Sequence, residues 1–394
     1  ETTRVEVVSG RVVQLEIYPQ LTESDSQTGT GEYIVEARRE TVGISERVIR
    51  SDEILYLPGT SGDAVKVVQN LPGVTRPPLG VGQLIIRGVD PEDSAFFLDG
   101  GRIPLVFHFS GLTTVVPTIS IAEVAFLPGS YGVRYGRTLG GLVDLRTTTT
   151  LPEEDHSTEV SVDVYQAAGY TEHRFADNGR VSASARRSYI DAVLNPILNG
   201  GDLLVQAPRY YDAQLRASSL KPDGQRWDAF LLVSDDRFRV LGSDDPDAEV
   251  EIGLVTWFQK LRLQHFRPLP GGWFAETILF GGPESQSFLF DGDGEAYEQD
   301  LMMGIRQEFR RPFDVGVTGW RLGLDMELGQ HRYLYDISGF GEREEGETPL
   351  FLPALYLESS IPVGMFEITP GLRSDLLIFE DGIIGPGVDP RLGL

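Results

Sequence analysis

Alternation of apolar and polar residues is the dominant pattern in the second part of the chain. Every second residue from Trp320 to Leu328 is bulky and apolar, and Asp325 and Glu327 lie between them. The same period of two runs through residues 211–217, 301–308 and 366–376. It predicts β-strands, because successive side chains of a strand point to opposite faces. Charged residues opposite an apolar face favour a membrane barrel around water. Alternation alone does not exclude a soluble barrel with an apolar interior.

The connections between these strands favour the membrane barrel. We predict tight turns at 177–179, 221–224, 267–272, 311–314 and 361–364, with long polar loops near 190–207, 235–250, 283–297 and 331–351. Alternating short and long connections are typical of outer-membrane barrels. A propeller would need a self-similar repeat of about 40 to 50 residues, and the sequence has none.

We count about eleven strands from Ser157, and a twelfth begins at "DPRLGL". An unpaired strand edge in hydrocarbon costs several kcal/mol for each unsatisfied group. We therefore expect the natural protein to be longer than this chain.

The residues before the barrel follow a mixed pattern. Residues 61–74 have apolar residues at helical spacing, with Asp63 at the start and Pro72-Gly73 at the end. The short segments "QLIIRG", "SAFFLDG" and "IAEVAFLPG" then predict strands. Together they predict a compact α+β unit of residues 40–148.

Charge and composition narrow the classes of partner. Lys and Arg number 34 and Asp and Glu 59, which gives a net charge of −25. This excess of anions argues against a nucleic-acid partner and does not suggest affinity for anionic lipid head groups. The chain contains no cysteine, in keeping with the periplasm and outer membrane, and no apolar run long enough for a transmembrane helix. It begins without a signal peptide, so we expect a leader to have been removed or the N-terminus to be cut.

No enzyme, cofactor or metal site is predicted. The five histidines are scattered, and the sequence has no HExxH, GxSxG or P-loop motif. The run "DGDGE" at 291–295 is faintly similar to a calcium loop, but Met302 stands where the distal glutamate is needed. Acidic runs at 244–251 and 342–347 could attract cationic or metal-bearing ligands, although solvated charge is the simpler interpretation.

Three blocks carry a specific resemblance: "LPGVTRPPLGVGQLIIRG" (71–88), "FFLDGGRIP" (96–104) and "IAEVAFLPGSYGVRYGRTLGGLVDLRT" (121–147). In this order and spacing they resemble the plug domain of TonB-dependent outer-membrane receptors. The resemblance covers residues 33–148, and the barrel resembles the family by pattern only. Ser130 and the run Val143-Asp144-Leu145 are mild departures. The motif residues are Leu71, Pro72, Gly73, Arg87, Gly88, Asp99, Gly100, Arg134, Tyr135, Gly136, Gly140 and Gly141.

The chemistry of these positions suits a domain fitted inside a barrel. Asp99-Gly100 is a hairpin signal, and the glycines between 129 and 141 allow close backbone approach. We expect Arg87, Arg134, Arg137 and Arg146 to pair with carboxylates of the inner barrel wall. Polar, hydrated contacts rather than an apolar core should hold a removable plug, because such contacts exchange with water.

The resemblance implies a division into four parts. Residues 1–21 resemble the end of a β-sandwich of the carboxypeptidase-regulatory-like type, and 22–39 form a linker. Within it, "YIVEARR" (33–39) resembles the TonB box, with Tyr33, Ile34, Val35, Glu36 and Ala37 as its leading residues. Residues 40–148 are the plug, and 149–394 are the N-terminal half of a barrel of 22 strands when complete, with about eleven present here.

The function implied is TonB-dependent uptake of a scarce ligand, a siderophore, vitamin, saccharide or peptide, across the Gram-negative outer membrane. The partners would be the periplasmic TonB-type transducer, which adds to the TonB box as a strand, outer-membrane lipid and the ligand. The loops around 77–82 and 105–112 are expected to face the ligand, with contacts at Arg76, Phe107, His108 and Phe109. The alternatives are the same architecture used for protein interaction, signalling or export, and a soluble all-β binding module. The ligand's identity stays open.

Overall fold

The computed structural model describes residues 46–54, 59–60, 63–75, 84–108, 111, 113–148, 154–164, 166–176, 178–192, 204–241, 250–290, 294–312, 318–336, 343–364, 366–379 and 382–393. Contacts divide the chain into residues 1–42 and 43–394. The first unit lies outside the described residues, and so do the predicted sandwich end, the linker and the TonB-box-like segment. In the described part of the chain, no helix is long and apolar enough to cross a membrane.

Residues 46–148, here called the plug, contain short elements. In chain order they are β1 (Arg47–Arg50), α1 (Ser51–Ile54), α2 (Lys66–Gln69), β2 (Val74–Thr75), β3 (Ile85–Ile86), β4 (Ala95–Leu98), β5 (Gly101–Ile103), β6 (Phe107–His108), β7 (Thr113–Thr114), β8 (Ile121–Leu127) and β9 (Leu142–Thr147). Five of them form a sheet in the order β1-β8-β9-β4-β5, in which β4 is parallel to β9. The pairs β2–β3 and β6–β7 form two small ribbons. The plug is therefore the α+β unit that the sequence predicts.

The predicted helix is present but is much shorter than its apolar pattern. The Asp63 carboxylate accepts hydrogen bonds from the backbone N–H groups of Val65 (3.0 Å) and Lys66 (3.1 Å), which caps the start of α2. Gly73 has φ +82°, a conformation that ends the turn after α2 and is cheap only for glycine. The other Asp63 oxygen accepts bonds from Thr113 and Thr114, which ties the helix start to the β6–β7 ribbon. The apolar periodicity of residues 61–74 predicted a longer helix, but the start of this segment instead makes tertiary contacts with the β6–β7 ribbon.

The Asp99-Gly100 hairpin is confirmed. Strands β4 and β5 pair with Leu98 opposite Gly101, so Asp99 and Gly100 are the two turn residues. Both have positive φ, 47° and 80°, as the tightest hairpin turn requires.

The plug core reaches into the wall around it. Apolar residues of β4, β8 and β9 are buried together, and Phe230, Leu232 and Phe258 of the surrounding strands belong to the same cluster. The expectation that polar contacts alone hold the plug is therefore wrong for this side. An apolar patch on one part of the wall removes surface of both partners from water.

The rest of the described chain is one antiparallel sheet, here called the barrel wall. Its strands are β10 (His156–Val162), β11 (Gln166–Phe175), β12 (Gly179–Ser188), β13 (Leu204–Leu220), β14 (Arg226–Leu241), β15 (Val250–Leu269), β16 (Trp273–Phe290), β17 (Gly294–Arg311), β18 (Gly319–Asp336), β19 (Glu344–Val363), β20 (Phe366–Phe379) and β21 (Gly382–Gly393). Each strand pairs with its neighbours in sequence. Twelve strands are present among the described residues, in agreement with the eleven counted from the sequence and the twelfth predicted at "DPRLGL".

The faces of the wall have the polarity of a membrane barrel. Leu328 on β18 is 55% exposed, whereas Asp325 on the opposite face is 2% exposed. Leu372 on β20 is 49% exposed, and its neighbour Arg373 is 1% exposed. Apolar side chains thus point away from the molecule and charged ones towards the plug. A soluble barrel would have the reverse arrangement.

The tight turns predicted at 221–224 and 267–272 are confirmed, but the long loops were overestimated. The turn predicted at 311–314 lies partly outside the described residues. A three-residue turn, Pro270–Gly272, joins β15 to β16, and β13 and β14 are joined through 221–225. The loop predicted at 283–297 is wrong, because β16 continues to Phe290 and β17 begins at Gly294. Polar residues there sit in paired strands, with Glu284 opposite Asp300. Polarity suggested a loop, but strand pairing continues through this stretch.

Candidate functional site at the plug–barrel interface

His108 lies in the first of two charged clusters between plug and wall. Its ring Nδ1 is 2.5 Å from Asp236 Oδ1 of β14, and its Nε2 is 3.1 Å from Asp212 Oδ2 of β13. The ring stacks on Tyr210 with centroids 4.2 Å apart. Arg186 of β12 completes the cluster, with Nε 2.6 Å from the same Asp212 oxygen. Three wall strands therefore converge on one plug side chain.

This environment favours the charged imidazolium of His108. Burial alone would lower the pKa of His108, but the carboxylates of Asp236 and Asp212 outweigh it and raise the pKa above its usual value of 6.5. Each ring nitrogen faces a carboxylate oxygen, as two N–H donors require. Arg186 also donates to Thr113 Oγ1 at 3.2 Å and to the carbonyl of Thr114. The β6–β7 ribbon is thus held to the wall by charge-assisted hydrogen bonds.

Arg134 anchors the second cluster. Its Nη1 lies 2.9 Å from Glu276 Oε2 and 3.1 Å from Glu308 Oε1, on β16 and β17. Tyr356 of β19 donates to the other oxygen of Glu308 at 3.0 Å. Burial alone would lower the pKa of Arg134, but the two carboxylates raise it well above its usual value. The prediction that Arg134 pairs with the inner wall is confirmed.

Arg137 extends this cluster along the wall. Its guanidinium lies 2.6 Å from Glu327 Oε1 and 3.3 Å from Asp375 Oδ1. Arg373 binds the same Asp375 at 2.8 Å and also donates to the plug carbonyls of Val133 and Arg134. The prediction for Arg137 is likewise confirmed.

The other two arginines behave differently. Arg146 pairs with Glu46, Glu123 and Asp144, all within the plug, so its predicted pairing with the wall is wrong. Asp144 lies on the same strand as Arg146, Glu123 lies opposite on β8, and Glu46 precedes β1, which makes the pairing local to the plug sheet. The Arg87 guanidinium lies 2.8 Å from the point where a Cβ on Gly129 would stand. The contact found for Arg87 among the described residues is therefore also within the plug.

The Asp99-Gly100 turn is a further contact with the wall. Arg262 Nη2 of β15 lies 3.1 Å from Asp99 Oδ2, and Arg306 of β17 donates to the Gly100 carbonyl at 2.9 Å. The Asp99 carboxylate also accepts the backbone N–H and the hydroxyl of Thr147. Burial alone would raise the pKa of Asp99, but nearby arginines hold it below its usual value.

Glycines of the third motif block leave room for wall and plug side chains. A Cβ on Gly136 would overlap the Arg373 guanidinium, and one on Gly141 would overlap Ile86. Gly140 similarly faces Val89 and the backbone of Asp93. The prediction that this segment presses closely on its surroundings is confirmed at these positions.

The remaining motif residues are structural parts of the plug. Tyr135 donates to Asp144 at 2.9 Å and packs on Phe97, and burial with this carboxylate raises its pKa. Leu71 packs on the core, and Gly88 has φ +75°. The Leu71 carbonyl also accepts a hydrogen bond from the Val74 N–H, so Pro72 and Gly73 lie in a hydrogen-bonded turn.

The predicted ligand contacts divide into two groups. Phe107 and His108 are each 0% exposed, so a ligand could touch their side chains only after part of the plug moved. Arg76 and Phe109 lie outside the described residues. Ligand contact at these four positions stays a prediction.

A cavity of about 310 Å³ lies between plug and β21. It is lined by Arg87, Tyr131 and Leu139 of the plug and by Asp389 and Arg391 of β21, among others. Arg391 donates to the carbonyls of Tyr131 (3.0 Å) and Gly132 (2.6 Å). No group of acidic or histidine side chains suited to a metal ion occurs among the described residues.

Sequence reasoning missed which wall residues receive the plug. Asp212, Glu308 and Arg373 lie in the alternating segments 211–217, 301–308 and 366–376, but nothing in their spacing indicates a partner more than one hundred residues away. The separation between Arg134 and Glu308 is 174 positions. Only the tertiary structure brings these charges together.

Comparison with protein families identifies the plug. Residues 38–142 match the model described as TonB-dependent Receptor Plug Domain. A comparison with curated proteins gives no match.

Solved structures share the fold of plug and wall together. The ferric enterobactin receptor PfeA of Pseudomonas aeruginosa is similar with a TM-score of 0.60 and 17% identity, over 89% of this chain and 59% of that one. The siderophore receptor PirA of Acinetobacter baumannii gives 0.61 and 16%, over 89% and 58%. The outer membrane transporter YddB of Escherichia coli gives 0.62 and 12%, over 91% and 60%.

Two conclusions follow from these matches. The chain spans about 59% of the length of the first of these structures. The family match covers residues 38–142, and the solved structures, which are named as receptors and transporters, share the fold of the plug and wall.

Proposed function

We propose that this chain is a TonB-dependent receptor that resides in the outer membrane of a Gram-negative cell and imports a scarce ligand. The observation that carries the proposal is the wall's polarity. The apolar residues of the wall face outward, and its buried carboxylates form ion pairs with Arg134, Arg137 and His108 of the plug. A wall in contact with lipid requires apolar residues on its outer face. A plug that must move requires polar contacts that water can replace.

The proposed cycle depends on breaking these contacts from the periplasm. The transducer would add to residues 33–37 as a strand and pull on the plug through the linker. Each buried ion pair that breaks leaves charges that water entering the barrel can solvate, so the motion costs less than exposing an apolar core. The apolar side at Phe230, Leu232 and Phe258 would resist the pull more strongly. We therefore propose that the plug shifts first on the side of Arg134 and Arg137.

Ligand class and domain organisation belong to the same proposal. The compared receptors bind ferric enterobactin or another siderophore. A siderophore is therefore one candidate, beside a vitamin, saccharide or peptide, for recognition above the plug near Arg76 and residues 107–109. We also propose that residues 1–21 end a carboxypeptidase-regulatory-like domain and that the complete barrel has 22 strands.

Localisation and barrel closure are tested by one experiment. The chain is expressed with its native flanking sequence, membranes are fractionated, and gel mobility is compared before and after boiling. We expect outer-membrane fractionation and a mobility shift on boiling. A soluble product without a shift would sink the proposal and favour a soluble binding module.

Energy coupling is tested by deleting residues 33–39, with deletion of residues 22–28 as a control of equal length. We expect the first deletion to abolish capture of the purified periplasmic domain of a TonB-type transducer and the control to retain it. Uptake of radiolabelled iron from a panel of ferric siderophores and ferric citrate should follow the same order. Unimpaired transducer capture after deletion of 33–39 would refute the coupling role.

A further inference from the structure

Four arginines gather on the outward face of three adjacent wall strands. Arg187 lies on β12, Arg209 on β13, and Arg237 and Arg239 on β14. We call these four residues the outer arginine cluster. Their placement is notable because the chain as a whole carries a net charge of −25.

The strand register places this cluster away from the plug. Tyr210 and Asp236 are paired neighbours and are buried against His108. The next pair towards the loops, Arg209 and Arg237, therefore faces the opposite side. Arg187 is likewise adjacent to the inward-facing Arg186 and is exposed.

The cluster is electrostatically unbalanced. The Tyr211 ring lies between two guanidinium groups, with Arg187 Cζ 5.4 Å and Arg209 Cζ 5.3 Å from its centroid. Arg209 stands directly opposite Arg237, and like charges in this position destabilise a strand pair. Within the described residues, the ion pair of the cluster is between Arg237 and Asp235, at 3.0 Å. An anion bound between the strands would offset this repulsion.

The height of the cluster on the wall suggests where the anion comes from. Trp227, 52% exposed, marks the turn end of β14, and Leu231 lies above it on the same outward face. Asp235 follows in register with Tyr211 and Trp257. The ten steps from Trp227 to Arg237 extend about 33 Å along the strand, which is about 25 Å of height at a strand tilt of about 40°. The apolar band of an outer-membrane barrel is about 25 Å tall and ends in aromatic girdles, so the arginines lie at the second interface.

We propose that the outer arginine cluster binds the phosphate groups of an anionic lipid headgroup in the leaflet at the loop end of the barrel. This inference rests on the outer-membrane location proposed above. One guanidinium group can donate two parallel hydrogen bonds to the oxygens of a phosphate. The Tyr211 ring positions two of the four arginines, Arg187 and Arg209. The cluster offers one pair of arginines around Tyr211 and a second pair on β14, which suits a headgroup with two phosphates.

Arginines elsewhere at the loop end do not share this arrangement. Arg332 on β18 pairs with Glu347 at 3.0 Å, and Arg343 pairs with Glu345 at 2.7 Å. Their charges are balanced by neighbouring carboxylates. They therefore provide a matched control, because removing them deletes the same charge from the same end of the barrel.

The test measures lipid binding to the purified full chain in detergent by native mass spectrometry. The probes are diphosphorylated lipid A, the same lipid after removal of its phosphates, and inorganic pyrophosphate. We expect Arg209→Gln/Arg237→Gln to weaken binding of the phosphorylated lipid roughly 25-fold, about fivefold for each arginine. Arg332→Gln/Arg343→Gln should bind like the wild type. Arg209→Lys/Arg237→Lys should be intermediate, because lysine keeps the charge but not the paired donors.

Several results would overturn the lipid site. These are unchanged binding in the glutamine variant, equal loss in the control, or equal binding of the dephosphorylated lipid. Competition by pyrophosphate at the concentration of the lipid would show a phosphate site without lipid selectivity. Variants must retain the mobility shift on boiling, and the lysine variant reports on the site if the glutamine variant misfolds. Failure of lipid binding in a chain that still fractionates with the outer membrane refutes this site alone. Failure to fractionate there refutes the proposed function itself.

Discussion

Replacing His108 with phenylalanine removes the charge that joins plug and wall while keeping a ring against Tyr210. The Asp236 carboxylate contacts His108, and Asp236 is 5% exposed. Phenylalanine would leave this carboxylate buried without its cation. Breaking one side of a buried ion pair costs about 3–5 kcal/mol. Asp212 would lose less, because Arg186 still binds it at 2.6 Å.

Hydrogen exchange of the β6–β7 ribbon measures this loss directly. The Val115 N–H, which donates to the Val106 carbonyl at 3.0 Å, reports on opening of the ribbon. A loss of about 3 kcal/mol should speed its exchange on the order of a hundredfold. His331→Phe is the matched control, because His331 also bonds an aspartate, Asp300 at 2.9 Å, but both are partly exposed. That pair should contribute less than about 1 kcal/mol and leave the ribbon unchanged.

A second substitution separates the ion pair from mere packing. In His108→Phe/Asp236→Leu no unpaired carboxylate remains at position 236, so the double variant should exchange more slowly than His108→Phe alone. The reasoning is refuted if His108→Phe changes exchange of the ribbon less than fivefold. It is also refuted if the second substitution adds a further loss.

The same ion pair predicts a pH dependence. The pKa of His108 is raised above 6.5 in the folded plug, chiefly because the neighbouring carboxylates outweigh burial. Its contribution is therefore complete below pH 6.5 and is lost as pH rises through the raised value. Ribbon opening should increase with pH in the wild type, and the increase should be smaller in His108→Phe. Equal pH slopes in the two proteins would contradict this assignment.

Two further variants test the second cluster. Arg134→Gln should destabilise docking of the plug by about 3–5 kcal/mol, because Glu276 and Glu308 stay buried without this cation. The measurement is hydrogen exchange of the plug, and the control is Arg146→Gln, because the ion pairs of Arg146 lie within the plug. Equal effects of the two would show that docking does not depend on the wall. Gly136→Ala should cost about 1–3 kcal/mol by displacing the buried Arg373 guanidinium, measured as faster exchange at the Tyr135 N–H, and unchanged exchange would argue against the close approach.

Local patterns were sufficient for most of the architecture. The period of two in β18 and β20 predicted which residues face outward, because a strand has only two faces. The pair Asp99-Gly100 predicted the β4–β5 hairpin turn, because such a turn requires positive φ values that aspartate and glycine adopt readily. The helix at 66–69 and the loop at 283–297 were predicted less well. In both places tertiary contacts or strand pairing outweigh local composition and periodicity.

The pairing of Arg134 and Arg137 with the wall was predicted from the resemblance and the physical need of a buried cation for an anion. The wrong prediction for Arg146 shows the limit of that reasoning. Asp144 lies two residues before Arg146 on the same strand, and the pairing of β8 with β9 places Glu123 directly opposite Arg146, so both are closer than the wall.

By itself, the sequence determined the two faces of the strands, the plug motifs and the Asp99-Gly100 turn, because these depend on residues near one another in the chain. It did not determine which charges meet, because Coulomb energies depend on distance in space. The overall charge of −25 gave no sign of a site for anionic lipid. Only strand register placed Arg209 opposite Arg237 on the outward face and brought His108 between Asp212 and Asp236.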